Sequence, residues 1–237
     1  MNKGVLITGA SDRIGKSLAL FFANNNYNVA IHYSSSIEKA KQTQKEIISK
    51  TGVNCELFQA DFRKENEIIS LINRVNAKFT INCLINNASD FYENNFTDAG
   101  SEDLIHFFDV NFKAAYLLSK EFAKIEQDDA LIINILDTNI RKNTTKHFDY
   151  LLSKKFLEIF TLQAAVDLAP KIRVNGIAPG IILAPQGKNE DHIRRMALNI
   201  PMRKIGNTEN IILAAEYLLK NRFVTGEILF VDGGEHL

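Results

Sequence analysis

The stretch Val5-Leu6-Ile7-Thr8-Gly9-Ala10-Ser11-Asp12-Arg13-Ile14-Gly15 decides how the rest of this chain is read. An apolar run feeds a turn containing Gly9 and Gly15, and a helical pattern follows at once. A strand, a Gly-rich turn and a helix N-terminus in that order place a dinucleotide pyrophosphate against backbone N–H groups at the positive end of the helix. One residue is out of pattern. A glycine usually stands two residues before the last one, and Arg13 stands there instead. Only the backbone is needed to cradle phosphate, so Arg13 adds a cationic arm aimed at whatever lies over the cofactor, a substrate or a phosphate.

The same alternation runs to the end of the chain. Strand-like apolar runs at 4–8, 28–33, 53–59, 81–86, 130–136, 172–177 and 227–231 are separated by helical patterns near 13–25, 37–50, 64–76, 101–124, 149–169, 189–199 and 208–221. Strands without internal polar alternation, separated by helices, predict a parallel sheet covered on both faces. The expected fold is therefore α/β, a single Rossmann-type doubly wound domain over residues 1–237. The site belongs at the C-terminal strand ends, at the switch point of the sheet.

Composition narrows the function. A chain of 237 residues is long enough for one such domain, and a globule this size buries roughly 70% of its unfolded surface without disulfides or metals. Basic and acidic residues balance, 28 against 28, which argues against nucleic acid or an anionic membrane as partner. Cys55 and Cys83 lie in apolar runs and read as small buried hydrophobes, so no metal or disulfide is expected. With no signal peptide and no apolar run of about 18 residues, the expected location is cytoplasmic.

Further signals fall where this fold puts its site. Asn86-Asn87-Ala88 ends the fourth strand, Asn111 lies in the following long helix, and Asp137 closes the fifth strand. Tyr150 and Lys154 stand four apart at the start of the next helix and share one face. A Tyr-x-x-x-Lys pair alone is common in helices. Together with Thr-Gly-x-x-x-x-x-Gly and Asn-Asn-Ala at these distances it is specific.

On these residues the chain resembles the short-chain dehydrogenase/reductase family over its whole length, with Val174-Asn175-Gly176-Ile177-Ala178-Pro179-Gly180 and Val231-Asp232-Gly233-Gly234 agreeing. The resemblance implies Tyr150 as general acid, Lys154 on the nicotinamide ribose lowering the tyrosine pKa, and Asn111 holding a water in the proton path. It also implies cofactor contacts at Gly9, Ser11, Arg13, Ile14, His32, Tyr33, Ser34, Ser35, Asp61, Phe62, Asn87, Ala88, Ser89, Tyr150, Lys154, Pro179, Gly180 and Ile182. Asp61 is expected to accept from the adenine amine, or, more plainly, to cap the next helix.

The chain leaves the family's pattern at one reacting position. A serine normally stands thirteen residues before the tyrosine to polarise a carbonyl, and here that residue is Asp137 (150 − 137 = 13). A carboxylate repels the alkoxide of ketone reduction, but coupled to Tyr150 it can help to protonate the nitrogen of a C=N bond. The plainer alternative is a strand-end aspartate capping a turn. Arg13, Asp137 and the run Asn86-Asn87-Ala88-Ser89-Asp90-Phe91-Tyr92 together resemble the pteridine reductase branch of the family. That resemblance implies a pterin substrate, such as 7,8-dihydromonapterin, held by Arg13, Ser89, Phe91, Asp137 and Tyr150, with Phe91 stacking on the pterin unless it is simply packed under its loop.

The second strand ends His32-Tyr33-Ser34-Ser35-Ser36 without a carboxylate for ribose hydroxyls, which favours NADPH, with Ser34 and Ser35 on the 2′-phosphate. Residues 181–200 are expected to form a lid that excludes water. The helix at 149–169 is apolar nearly all round, and relatives associate through it, so a homotetramer or homodimer is expected. Two other functions compete: a carbonyl reductase such as a 3-oxoacyl thioester reductase, and a dinucleotide-sensing protein without catalysis. The presence of both Tyr150 and Lys154 speaks against the second.

Overall fold

A computed structural model describes residues 3–125, 128–183 and 195–237. Seven strands, β1 (Gly4–Ile7), β2 (Asn28–Tyr33), β3 (Cys55–Gln59), β4 (Cys83–Asn86), β5 (Ala130–Ile135), β6 (Ile172–Pro179) and β7 (Ile228–Val231), form one sheet in the order β3-β2-β1-β4-β5-β6-β7. Every pairing is parallel. The chain leaves β1 toward β2 and β3, then returns to β4 on the other side, so the switch point falls between β1 and β4.

Successive side chains of a strand point to opposite faces, and each face here has its own core. Val5 and Ile7 of β1 pack with Leu18 and Phe22 of α1 (Arg13–Asn24), Ile47 of α2 (Ile37–Thr51), and Ile211 and Leu218 of a late helix, Thr208–Lys220. Leu6, between them, packs with Leu71 and Ile72 of α3 (Glu65–Asn76) and with Leu118, Phe122, Ala164 and Ala165 on the other side. Burial on both faces is why the strands read as unbroken apolar runs.

The long helical pattern at 101–124 is three pieces: α4 (Ser101–Phe108), a π-helical turn at Asp109–Lys113, and α5 (Ala114–Phe122). A π-turn widens the helix by one residue and often marks a functional position; this one carries Asn111, 1% exposed. Asp137 stands two residues past the end of β5 and caps a 3-10 turn, Thr138–Arg141, ahead of α6 (Phe148–Asp167). The late helix Thr208–Lys220 is α7. Most of the expected lid and of the helix at 189–199 lies outside the described residues; Arg195, Met196 and Ala197 are helical. Cys55 and Cys83 are free and buried, as read from sequence.

Candidate active site

The glycine-rich turn is fastened from three sides. Gly9 has φ +62, a left-handed conformation that suits glycine, and a Cβ there would come 3.0 Å from Ala88 Cα. Asn87 Nδ2 donates to Thr8 O at 2.8 Å and Gly9 O at 3.2 Å, while Thr8 Oγ1 accepts from the backbone N–H groups of Asn87 and Ala88, each at 2.9 Å. Asp12 caps α1 by accepting from Arg13 N at 2.8 Å and pairs with Lys39 at 2.6 Å. Arg13 itself has φ +54. The usual glycine of this turn answers a backbone requirement, and Arg13 meets it at a cost of about 1–3 kcal/mol. Strain held by an exposed arginine at a phosphate-type turn points to a role for its side chain.

His32 supplies the third fastening, with its ring turned inward behind the turn. The ring is 2% exposed and lies parallel to Phe62, centroids 4.1 Å apart. Its Nδ1 accepts from Gly9 N at 3.2 Å, so Nε2 carries the proton donated to Ala60 O at 3.1 Å. Burial pushes its pKa down from 6.5 to about 4. His32 and Phe62 therefore act behind the turn, as does the Asn87 side chain. Acidification should undo this arrangement. The unfolded chain binds the His32 proton below 6.5 and the folded chain only near 4, so stability present above pH 6.5 falls as pH drops through that window, by roughly 3 kcal/mol in all. A His32→Gln variant, measured by urea unfolding at neutral pH and near pH 4.5, should lose most of that acid dependence; an unchanged dependence would remove His32 from the account.

Asp61 is paired with a near neighbour in sequence. Both carboxylate oxygens are taken by Arg63: Oδ1 by its N and Nε at 3.0 and 2.9 Å, and Oδ2 by Nη2 at 2.7 Å. The Arg63 bonds hold its pKa down at about 2. It does not cap α3, whose N-cap is Lys64. Ser34 and Ser35 are exposed beyond β2, Tyr33 is half-buried, and Ser11 accepts from Thr43 Oγ1 through its carbonyl at 3.0 Å. Ile14 and Ile182 pack against the core, and Pro179-Gly180 closes β6, where a Cβ on Gly180 would strike Asp232 Cβ at 2.6 Å. The tight glycine turn at a capped helix N-terminus, with exposed hydroxyls and no carboxylate closing β2, fits a dinucleotide carrying a 2′-phosphate.

At the other end of the cleft, Tyr150 donates its Oη–H to Asp137 Oδ2 at 2.8 Å. Asp137 Oδ1 accepts from Asn139 N and Nδ2, both at 2.8 Å, so the residue caps its turn and meets the tyrosine at once. Lys154, 2% exposed, donates to Ile135 O at 2.9 Å, and its Nζ lies 5.9 Å from the Tyr150 ring centroid. The tyrosine pKa goes the opposite way to the expectation. Burial and the adjacent Asp137 charge push it well above 10, with Ser89 lowering it slightly. Burial disfavours the phenolate most, and the Asp137 carboxylate at hydrogen-bond distance adds to it. Tyr150 is therefore a protonated donor. Burial in turn lowers Lys154 from 10.5 to about 8.

Asn111 is committed to the protein. Its Nδ2 donates to Asp90 O and Ser153 Oγ, each at 3.1 Å, and its Oδ1 accepts from Asp90 N at 2.9 Å. Both amide donors are spent, which leaves a carbonyl lone pair for the water it was expected to hold. Its evident work is to fasten the loop after β4, which carries Ser89 and Phe91.

That loop is zipped onto the start of α6. Phe91, 53% exposed, meets the Tyr150 ring edge-on with centroids 4.8 Å apart and is stacked on His147 at 4.4 Å. Packing under the loop is thus not its role. His147 has φ +57 and its Nδ1 lies 3.1 Å from Tyr92 O; Asn94 Nδ2 donates to buried Asp149 at 2.7 Å. Sequence reading missed His147, Asn94 and Asp149, whose partners are 55 residues or more away.

The fold and the Tyr150–Lys154 site define an oxidoreductase, and the chain belongs to the short-chain dehydrogenase/reductase family. A family model described as enoyl-(acyl carrier protein) reductase matches residues 9–236. The 3-oxoacyl-[acyl-carrier-protein] reductase FabG of Staphylococcus epidermidis is 30% identical over 245 residues, covering 100% of both chains. Glucose 1-dehydrogenase 2 of Bacillus subtilis is 30% identical over 98% of this chain and 94% of its own. Among solved structures, FolM alternative dihydrofolate reductase 1 from Brucella canis, complexed with NADP, superposes with a TM-score of 0.93 at 31% identity, covering 99% of this chain and 94% of that one.

Proposed function

We propose that this protein is an NADPH-dependent pteridine reductase that reduces 7,8-dihydromonapterin to its tetrahydro form. The observation that carries the reading is the carboxylate of Asp137, 2.8 Å from the Tyr150 hydroxyl, where a carbonyl reductase needs a neutral donor. Phe91 supports it by offering an exposed ring beside Tyr150 to a flat bicycle. The cofactor, when bound, supplies the hydride. Hydride is accepted at C6 and a proton at N5, along a path that Arg13 lines with ordered water. Where a fully oxidised pterin is reduced at C7 and N8, Tyr150 and Asp137 supply the proton. Lys154 holds the ribose, and Ser34 and Ser35 take the 2′-phosphate. The Brucella FolM protein, solved with NADP, is named an alternative dihydrofolate reductase, which makes dihydrofolate and dihydrobiopterin the next substrates to try.

The test is steady-state NADPH oxidation with 7,8-dihydromonapterin, with acetoacetyl thioester and NADH as parallel controls. NADPH-selective turnover of the pterin is the expected result. Turnover of the thioester alone would place the protein with the 3-oxoacyl reductases, the activity named for its Staphylococcus relative. Dinucleotide binding with no turnover would favour a sensing role.

Arg13→Gly separates the arm from the backbone that carries it. Relief of the φ +54 conformation should leave stability unchanged or raise it by up to about 1 kcal/mol. Pterin KM should rise about tenfold with the loss of the charged contact. Unaltered pterin kinetics would reduce Arg13 to an incidental replacement.

The outer side of α6 exposes Phe156, Ile159, Leu162 and Val166, at 44, 62, 42 and 77%. A continuous apolar row of this kind fits helix-to-helix association of two copies. Sedimentation at micromolar concentration should report a homodimer or homotetramer.

A further inference from the structure

Asp137 is aimed by a turn that the far end of the chain holds in place. One carboxylate performs two tasks: Oδ1 caps the turn through Asn139, and Oδ2 accepts the Tyr150 hydrogen bond. Any swing of the turn therefore moves Oδ2 off the phenol. The next residue, Thr138, is 2% exposed and donates its hydroxyl to Asp232 Oδ2 at 2.5 Å, across 94 positions of sequence.

Asp232 is 7% exposed and unusually well supplied with donors. Besides Thr138, its Oδ2 accepts from His236 N at 2.9 Å and Nδ1 at 2.8 Å, and its Oδ1 accepts from Gly234 N at 2.9 Å. Burial alone would push its carboxyl up, but these bonds, led by that from Thr138, outweigh burial and hold it below the usual carboxylate range. A buried carboxylate bonded by four donors is a rigid anchor. Two more contacts join the same segments. The Arg141 guanidinium lies 5.6 Å from the Phe230 ring centroid, and Lys142 Nζ lies 3.5 Å from Glu235 Oε1.

We propose that Asp232 is a positioning residue, which through Thr138 fixes the turn that points Asp137 at Tyr150, so that the C-terminal segment sets the geometry of proton delivery. The role rests on the reading of Asp137 given above. It explains why the buried hydroxyl next to Asp137 is bonded to the chain's last turn and not to its own strand.

Thr138→Val removes the bond with little change of shape, and Thr138→Ser keeps it. With valine, kcat for fully oxidised monapterin should fall about ten- to a hundredfold with a changed pH profile, while KM for NADPH stays within about twofold. Serine should restore kcat and the profile. Amide exchange at Asn139, whose N–H bonds Asp137 Oδ1, should accelerate in the valine variant and return to normal with serine. If valine fails to fold, Asp232→Asn gives the same readouts. A lowered Tm with wild-type kcat, pH profile and Asn139 protection would overturn the proposal and leave Asp232 a merely structural anchor. Failure of the pterin reading is distinct: wild-type enzyme would then not turn over the pterin, while Asn139 exchange still reports on Thr138.

Discussion

Replacing Asp137 by serine should reverse the chemistry of the site: turnover of a fully oxidised pterin, reduced at C7 and N8, falls at least about a hundredfold and ketone turnover appears. The argument is electrostatic. A ketone accepting hydride develops a full negative charge on oxygen, beside Tyr150. With Asp137 Oδ2 only 2.8 Å from the same hydroxyl, that oxyanion would sit close to a second negative charge. At about 4 Å and an effective dielectric of about 20, the repulsion is about 4 kcal/mol. That is roughly three orders of magnitude in rate. A serine hydroxyl in the same place donates instead, so the penalty becomes stabilisation. A C=N bond has the opposite need, because its nitrogen ends neutral and must gain a proton. The measurement is the ratio of kcat/KM for fully oxidised monapterin to that for acetoacetyl thioester, in wild type and Asp137→Ser, with NADPH affinity as the control for folding. A ratio unchanged to within about threefold would mean that Asp137 only caps its turn.

The sheet was legible because parallel strands buried on both faces leave apolar runs that nothing else in the chain imitates. Their ends were less so: the run at 172–177 continues as strand to Pro179, and that at 53–59 begins only at Cys55. The π-turn at Asp109–Lys113 was invisible. An inserted residue changes the hydrogen-bond ladder without breaking the apolar pattern of 101–124. Arg13 was legible as a misfit, but its left-handed φ was not. Sequence position also did not reveal direction. His32, Phe62 and Asn87 stand in segments that run to the site, yet their side chains turn inward and build the turn from behind. The sign of the Tyr150 shift was misjudged for a similar reason. Lys154, four residues on, is near in sequence, but the phenol is buried and bonded to Asp137, and burial first and that carboxylate second raise its pKa.

Lys154→Met should abolish turnover and stabilise the protein at neutral pH. Lys154 is 2% exposed, with one carbonyl partner, Ile135 O. Burial lowers its pKa from 10.5 to about 8, with Asp137 opposing, which places the charged form roughly 3 kcal/mol above its state in the unfolded chain. The unfolded chain binds more protons than the folded one between those two values, so wild-type stability should rise as pH climbs from 8 to 10.5. Methionine fills similar space without charge, but leaves Ile135 O unpaired, a loss of about 1–3 kcal/mol. The net gain near neutrality is therefore about 1 kcal/mol, or about 2–4 °C in Tm. The decisive observation is the pH trend: the advantage of the variant over wild type in denaturant unfolding should shrink steadily toward pH 10. A constant difference would show that packing, and not the buried ammonium, is what the substitution changes. Turnover should fall by about a thousandfold or more, since the group proposed above to hold the ribose is gone.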